Sequence, residues 1–366
     1  MMKLILFEFK KMIRTKLVAF LLLVTVAIII GLFVRNVIQQ DVIQKEKVEQ
    51  FSEYLKDVVR QNMTDIKVLE QEADSEIQVR LDKGNELSAE LNKLLTAIEQ
   101  KDWQQELQTE INVYNLATDY IQSKGNFNVS AEEREIRMKL NQELLNLGLP
   151  KENFDLSIQT SLFMKKIVSI LLTVGGFLFL LLALGTVIAK EFEGGNIKLV
   201  YTLPISRRKY VIVKFVSILA VSYVWLLTVF IVAYLLPFLF GHHYEKSFTY
   251  PLLNEQGDFI NTSTYMNEAI VYSVCFVTFA VTISVLVSFL VRNTVISFLL
   301  IFGLFIGGYL VTNQLFDSMW IPFAYQNVDD VILTSLHSFS SGISVLIGSA
   351  ILLLVLTMEI NRKRGV

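Results

Sequence analysis

Six stretches of the chain are apolar for long enough to cross a hydrocarbon core: 17–34, 167–189, 215–240, 269–291, 294–315 and 340–358. About 20 mainly apolar residues suffice for a spanning helix, and shorter runs cross with their ends snorkelling. None of the six has Asp, Glu, Lys or Arg in its interior. Between 36 and 164 the pattern changes, and apolar positions recur at helical spacing: Phe51, Leu55, Val58 and Val59, then Leu87, Leu91, Leu94, Leu95 and Ile98, then Leu107, Ile111 and Tyr114. This predicts an all-α membrane protein of six transmembrane helices, with a large helical domain between spans one and two. Breaks are expected at Lys83-Gly84-Asn85 and Gly125-Asn126, and Ser130 with Glu133 forms a capping box for a helix ending near Gly148 and Pro150. Asn92 and Gln105 interrupt the stripes, which favours a coiled hairpin with a returning helix, or a bundle, over a strict coiled coil.

Charge divides the chain the same way. The whole carries −2, but residues 36–164 hold 24 Asp/Glu against 14 Lys/Arg, so that segment is −10 and the remainder +8. An acidic insert between basic, oil-rich flanks is expected of one large aqueous domain on a membrane protein. Basic residues in short flanks mark the cytoplasmic side. They cluster at Lys3, Lys10, Lys11, Arg14 and Lys16, at Lys190, Lys198, Arg207, Arg208, Lys209 and Lys214, at Arg292, and at Arg362, Lys363 and Arg364. Six spans place all four clusters on one side, so both termini are expected in the cytoplasm and the acidic loops outside. The expected division is 1–35 (interfacial helix and first span), 36–164 (extracytoplasmic helical domain) and 165–366 (five spans). Within 2–14, Ile5, Phe9, Met12 and Ile13 oppose Glu8 and Lys11, which predicts an amphipathic helix along the inner membrane surface.

Candidate chemistry is sparse. The single cysteine, Cys275, permits no disulfide framework, zinc site or haem attachment within the chain. The run at 17–34 lacks a small-residue cleavage site and reads as a retained span. No Gly-x-x-x-x-Gly-Lys-Ser/Thr loop is present to cradle ATP. No ionisable residue sits inside a span, which argues against a proton- or ion-coupled carrier. His242-His243 with Glu245 lacks a fourth metal ligand, and His337 stands alone. No catalytic or metal-binding residue, no cofactor and no nucleic-acid partner is therefore expected on this chain. Gly303-x-x-x-Gly307, with Gly308, and Gly175-Gly176 allow close helix approach, within the chain or at a dimer seam. Ser273, Thr278, Thr282 and Ser284 in span four are expected to bond their own helix carbonyls.

The most informative stretch runs from Glu191 to Phe215, EFEGGNIKLVYTLPISRRKYVIVKF. Phe192, Ile197, Val200 and Tyr201 can form an apolar patch on a short helix, and Pro204 ends it before Ser206 and Arg207. This stretch resembles the cytoplasmic loop of ATP-binding-cassette type-2 permeases: an acidic-Gly entry, a helix, Leu-Pro-x-Ser-Arg, then a Lys as the next span begins. The matching residues are Glu191, Glu193, Gly194, Gly195, Leu203, Pro204, Ser206, Arg207 and Lys214. Gly195-Asn196 departs from the Gly-Thr/Ser usual at the entry. The resemblance implies a coupling helix at 191–204 that docks in a separate ATPase subunit, with ATP and Mg bound there. It also implies a second permease copy, or a similar permease, in a bacterial cytoplasmic membrane. The implied function is export of a hydrophobic or amphipathic substrate such as an antimicrobial peptide, lipid or drug. A membrane-anchored sensor or scaffold whose outer domain recruits a partner is the alternative.

Overall fold

The computed structural model describes residues 2–14, 16–171, 173–195, 197, 205–314, 319–334 and 339–363. Its chain forms two compact units, Met1–Phe33 with Leu162–Phe240 and Leu253–Val366, and Val34–Ser161 with Gly241–Leu252.

The first unit opens with α1 (Met2–Arg14), which buries Glu8 and Met12. It continues through α2 (Lys16–Ile38), whose last residues belong to the second unit. It resumes in α7 (Thr160–Leu171), α8 (Val174–Glu193), α9 (Arg207–Phe240), α10 (Thr262–Val291), α11 (Thr294–Gln314), the short α12 (Val328–Leu333) and α13 (Phe339–Lys363). Five described helices are long and apolar enough to cross a membrane: α2, α9, α10, α11 and α13. α10 is the hub, packed by α8, α9, α11 and α13 and buried along most of its length. By contrast, α11 exposes Val295, Ile296, Leu299, Leu300 and Phe302, as a helix face bathed in lipid does.

Inside the spans, hydroxyls return to their own helices. Thr278, Thr282 and Ser284 donate to the carbonyls four residues back at 2.7, 2.8 and 3.0 Å, and Ser273 does likewise. Between helices, Trp225 Nε1 donates to Thr25 Oγ1 at 2.8 Å, so the indole is buried with its one donor satisfied.

The second predicted span is not one helix. The run at 167–189 breaks between Leu171 and Val174, with Thr173 extended (φ −98°, ψ 176°) and its hydroxyl bonded to the Ile170 carbonyl at 2.8 Å. At this kink a Cβ on Gly176 would run into the Leu171 backbone, whereas one on Gly175 would meet nothing. Hydropathy averaged over a window does not register such a break, because one Thr among Ile, Leu and Val leaves the run apolar.

The second unit is a four-helix bundle of α3 (Gln40–Leu69), α4 (Ser75–Gln100), α5 (Trp103–Gln122) and α6 (Ala131–Leu147). Cross-links fix each neighbouring pair antiparallel: Asp65 with Arg80 and Asn62 with Asn85, Glu90 with Asn112 and Lys83 with Asp119, Tyr114 with Arg137 and Thr118 with Arg134. Phe51, Val58, Leu87, Leu91, Leu94, Ile98, Val113, Tyr114 and Tyr120 form the core. Ser130 Oγ accepts the Glu133 amide at 3.1 Å, and α6 ends on Gly148 in the left-handed region (φ 70°). Gly241–Leu252 joins this unit because the His242 amide bonds the Ile158 carbonyl and the Thr160 amide bonds the His242 carbonyl.

The expected break at Lys83-Gly84-Asn85 does not occur. Gly84 lies buried within α4, where a Cβ would collide with the Asn62 side chain, so this glycine serves close packing against α3. The turn falls earlier instead, where Asp74 caps α4 by accepting the Glu76 amide at 2.8 Å. At Gly125 a break is present, in the loop after α5.

Candidate functional site

α8 ends one turn past the apolar run of span two, and its last residues make the contacts that organise this end of the helical unit. Lys214, on the first turns of α9, is 1% exposed. Its ammonium donates to Glu8 Oε2 on α1 at 2.6 Å and to Glu191 Oε1 on α8 at 2.7 Å. Lys11 Nζ reaches Glu191 Oε1 at 2.7 Å, and the Tyr210 hydroxyl donates to Glu191 Oε2 at 2.8 Å. Two carboxylates and two ammoniums thus neutralise one another, which makes burial of the group tolerable. Burial pushes the Glu191 carboxyl up, but Lys214 and Lys11 outweigh it and hold the group below its ordinary range. For Lys11 the burial cost to its charge is overcome by the bond to Glu191, and its ammonium is held above the usual lysine value.

The neighbouring residues tie the same segment to other helices. Phe192 packs edge-on against Phe289, ring centroids 5.5 Å apart, and the Arg292 guanidinium lies 5.1 Å from the Phe192 ring centre. Glu193 accepts the Thr294 amide at 2.8 Å and its hydroxyl at 2.6 Å, capping α11; these bonds lower its pKa. Gly194 closes α8, and Gly195 takes φ 69°, the left-handed turn by which the chain leaves the helix. Ile197 is buried. Beyond the loop, the Arg207 carbonyl accepts from Asn361 at 3.1 Å and Arg208 pairs with Glu359, both on α13. Ser206 precedes α9 and its carbonyl accepts the Tyr210 amide at 3.1 Å. Val200, Tyr201, Leu203 and Pro204 lie outside the described residues.

Among the candidate residues, the structure gathers Glu191, Phe192, Glu193 and Arg207 at one end of the helical unit and turns Phe192 inward. The glycines of α11 divide: a Cβ on Gly308 would strike the Phe323 ring, whereas Gly303 and Gly307 have open space. Sequence reasoning missed the pairing of Glu8 with Lys214, which are 206 residues apart. The available signal was a lone charge embedded in apolar sequence, LFEFK and VIVKFV, which requires a partner if it is buried. Elsewhere, Cys275 is buried as a free thiol. His243 Nδ1 lies 3.2 Å from Thr160 Oγ1, and among the described residues no His, Cys, Asp or Glu group is arranged to hold a metal. His337 lies outside the described residues.

A helical protein with several apolar helices long enough to cross a bilayer, whose apolar unit gathers the buried Lys214 and its carboxylates beyond the end of a span, belongs to the class of multi-pass membrane proteins. The family described as ABC-2 family transporter protein matches residues 2–357, so the chain belongs to that family and has the role of a transport membrane component. No curated protein and no solved structure matches the chain at a significant level.

Proposed function

We propose that this chain is the permease subunit of an ATP-driven exporter in a bacterial cytoplasmic membrane, with both termini cytoplasmic and the bundle of the second unit outside. Hydrolysis belongs to a separate ATPase chain, where ATP and Mg bind, and the permease pairs with a second copy or a similar permease. Its cargo is hydrophobic or amphipathic. The segment 191–204 is the coupling element, with Val200, Tyr201 and Leu203 its docking face and Ile197 anchoring it to this chain. The observation that carries this reading is the Lys214–Glu8–Glu191–Lys11 knot at the root of that segment. A partner that displaces the loop pulls on Glu191, and the same charges transmit the pull to α1 and α9 as one body.

Affinity purification of the tagged chain in mild detergent tests both halves. The wild type is expected to retain an ATPase and Tyr201→Asp to release it. Glu191→Gln is expected to retain the ATPase while losing cargo movement. Absence of any ATPase under several mild conditions, or its retention by Tyr201→Asp, overturns the reading and leaves a sensor or scaffold in its place.

A further inference from the structure

α1 packs on α9, turning Glu8 and Met12 inward and leaving two rows of side chains outside. One row is apolar: Met2, Leu6 and Ile13 are exposed, with Phe9 half-buried among them. The adjacent row carries Lys3, Lys10 and Arg14, and Lys16 follows at the start of α2. These four cations are exposed and have no ion pair among the described residues, whereas Lys11 is held by Glu191. A helix with an apolar row beside a cationic one lies at a membrane surface.

Against α1 is a cavity of about 270 Å³. Phe9 and Ile13 of α1 form one end, and its sides are Val18 and Leu22 on α2 and Val221 and Val224 on α9. The space exists because α2 and α9 share no extended seam among the described residues; the Trp225–Thr25 bond joins them one turn beyond Leu22. Leu22 lies about 9 Å along α2 from Lys16, so the cavity occupies the depth at which acyl chains leave their headgroups. Its lining is wholly apolar, and such a cavity stays dry and takes an apolar guest. Ala19 and Val224, both exposed, form a rim open to lipid.

We propose that this cavity and the cations beside it form a site for one anionic phospholipid. An acyl chain enters past Ala19 and Val224, and Lys10, Arg14 and Lys16 hold the phosphate. Two independent features specify this occupant. The apolar cavity with a lipid-facing rim takes a chain from the adjoining leaflet, and the unpaired cations favour a negative headgroup over a zwitterionic one. Because α1 carries Glu8 to Lys214, the lipid that seats α1 also steadies one arm of the knot. The site rests on the membrane class of the chain and not on export or an ATPase, so its failure leaves the export reading untouched.

The test supplies the full chain, purified in maltoside, with equal amounts of phosphatidylglycerol and phosphatidylcholine, and counts retained lipid by native mass spectrometry. Expected are one phosphatidylglycerol per chain after further washing, loss of phosphatidylcholine, and slowed amide exchange at 2–14 when the anionic lipid is restored. Arg14→Gln is expected to weaken retention about fivefold, the effect of one cation at an anionic surface, and Lys10→Gln or Lys16→Gln similarly. Lys363→Gln removes an exposed cation on the last turn of α13, outside this cavity, and is expected to change nothing. Ala19→Phe and Val224→Phe fill the cavity from its exposed rim and are expected to release the lipid with every cation in place. Equal retention of the two lipids by the wild type, a loss in Arg14→Gln no larger than in Lys363→Gln, or wild-type retention by both filled variants overturns the proposal.

Discussion

The two units handle buried charge in different ways. In the bundle each buried carboxylate has its own cation: Asp65 with Arg80, Glu106 with Lys47, Glu110 with Lys151. These pairs are spread around a conventional apolar core. In the helical membrane unit, the pairs at 1–10% exposure are instead gathered at Lys214, Glu8 and Glu191. Water around a bundle solvates one side of each pair, so pairs can sit singly. A bilayer offers no such relief, so a charge near a span end needs several partners at once. Stability in the bundle should therefore be divided among many sites, and in the membrane unit concentrated at one.

Removing the ammonium at the knot is the sharpest way to break that contrast. Lys214→Met leaves Glu8 and Glu191 in place without their shared cation, and the loss of one partner of a buried pair costs about 3–5 kcal/mol. The expected outcome is a large fall in the thermal midpoint of the purified chain, partly reversed by adding Glu8→Gln. A fall of the size seen at an exposed pair would mean that the knot is solvated.

Core truncation in the bundle comes next. Leu91 is fully buried in the α4 stripe, and Leu91→Ala should cost about 2–5 kcal/mol. Hydrogen exchange should show the loss confined to 34–161, with α10 unchanged. A smaller effect belongs to acid. Asp65 lies below the ordinary carboxylate value of 3.8, chiefly through its hydrogen bonds to Arg80. Its contribution is complete above that value and is lost as pH falls below 3.8 through the depressed folded value. Acid titration followed by exchange at 57–82 should show this loss, and Arg80→Met should abolish it.

What the sequence could show follows the same division. The apolar runs of α2, α9, α10, α11 and α13 were legible because both lipid and a packed helical interior demand continuous hydrophobicity, and the capping of α6 was legible because Ser130 and Glu133 act locally. The family resemblance rested on residues in fixed local order, Glu191 through Lys214, and the family match covers nearly the whole chain. Features made by contact were hidden. Gly84 read as a helix break because its use depends on Asn62 from another helix, and the kink at Thr173 has no hydropathy signature. The inward turn of Phe192 depends on Phe289 and Arg292, about a hundred residues away. Separation along the chain, not weak chemistry, concealed the knot.

At the local level, Ser130→Ala removes one cap acceptor from α6 and should cost about 1 kcal/mol, with Ser130→Gly costing only a few tenths. Fraying at 131–134, read by amide exchange, checks it.

The smallest expected effect tests the comparison most directly. Leu299 on α11 is 58% exposed, and Leu299→Ala deletes the same atoms as Leu91→Ala. In the bundle those atoms leave a packed core that excludes water. At Leu299 they face lipid tails as apolar as the side chain itself, so no transfer from water is lost and little packing is given up. The expected change is under about 0.5 kcal/mol, measured by thermal unfolding in the same detergent as Leu91→Ala. A cost approaching that of Leu91→Ala would mean that the Leu299 face is covered. With Gly303 and Gly307 open on the same helix, the covering surface would then be a second chain, and cross-linking from Leu299→Cys should capture it.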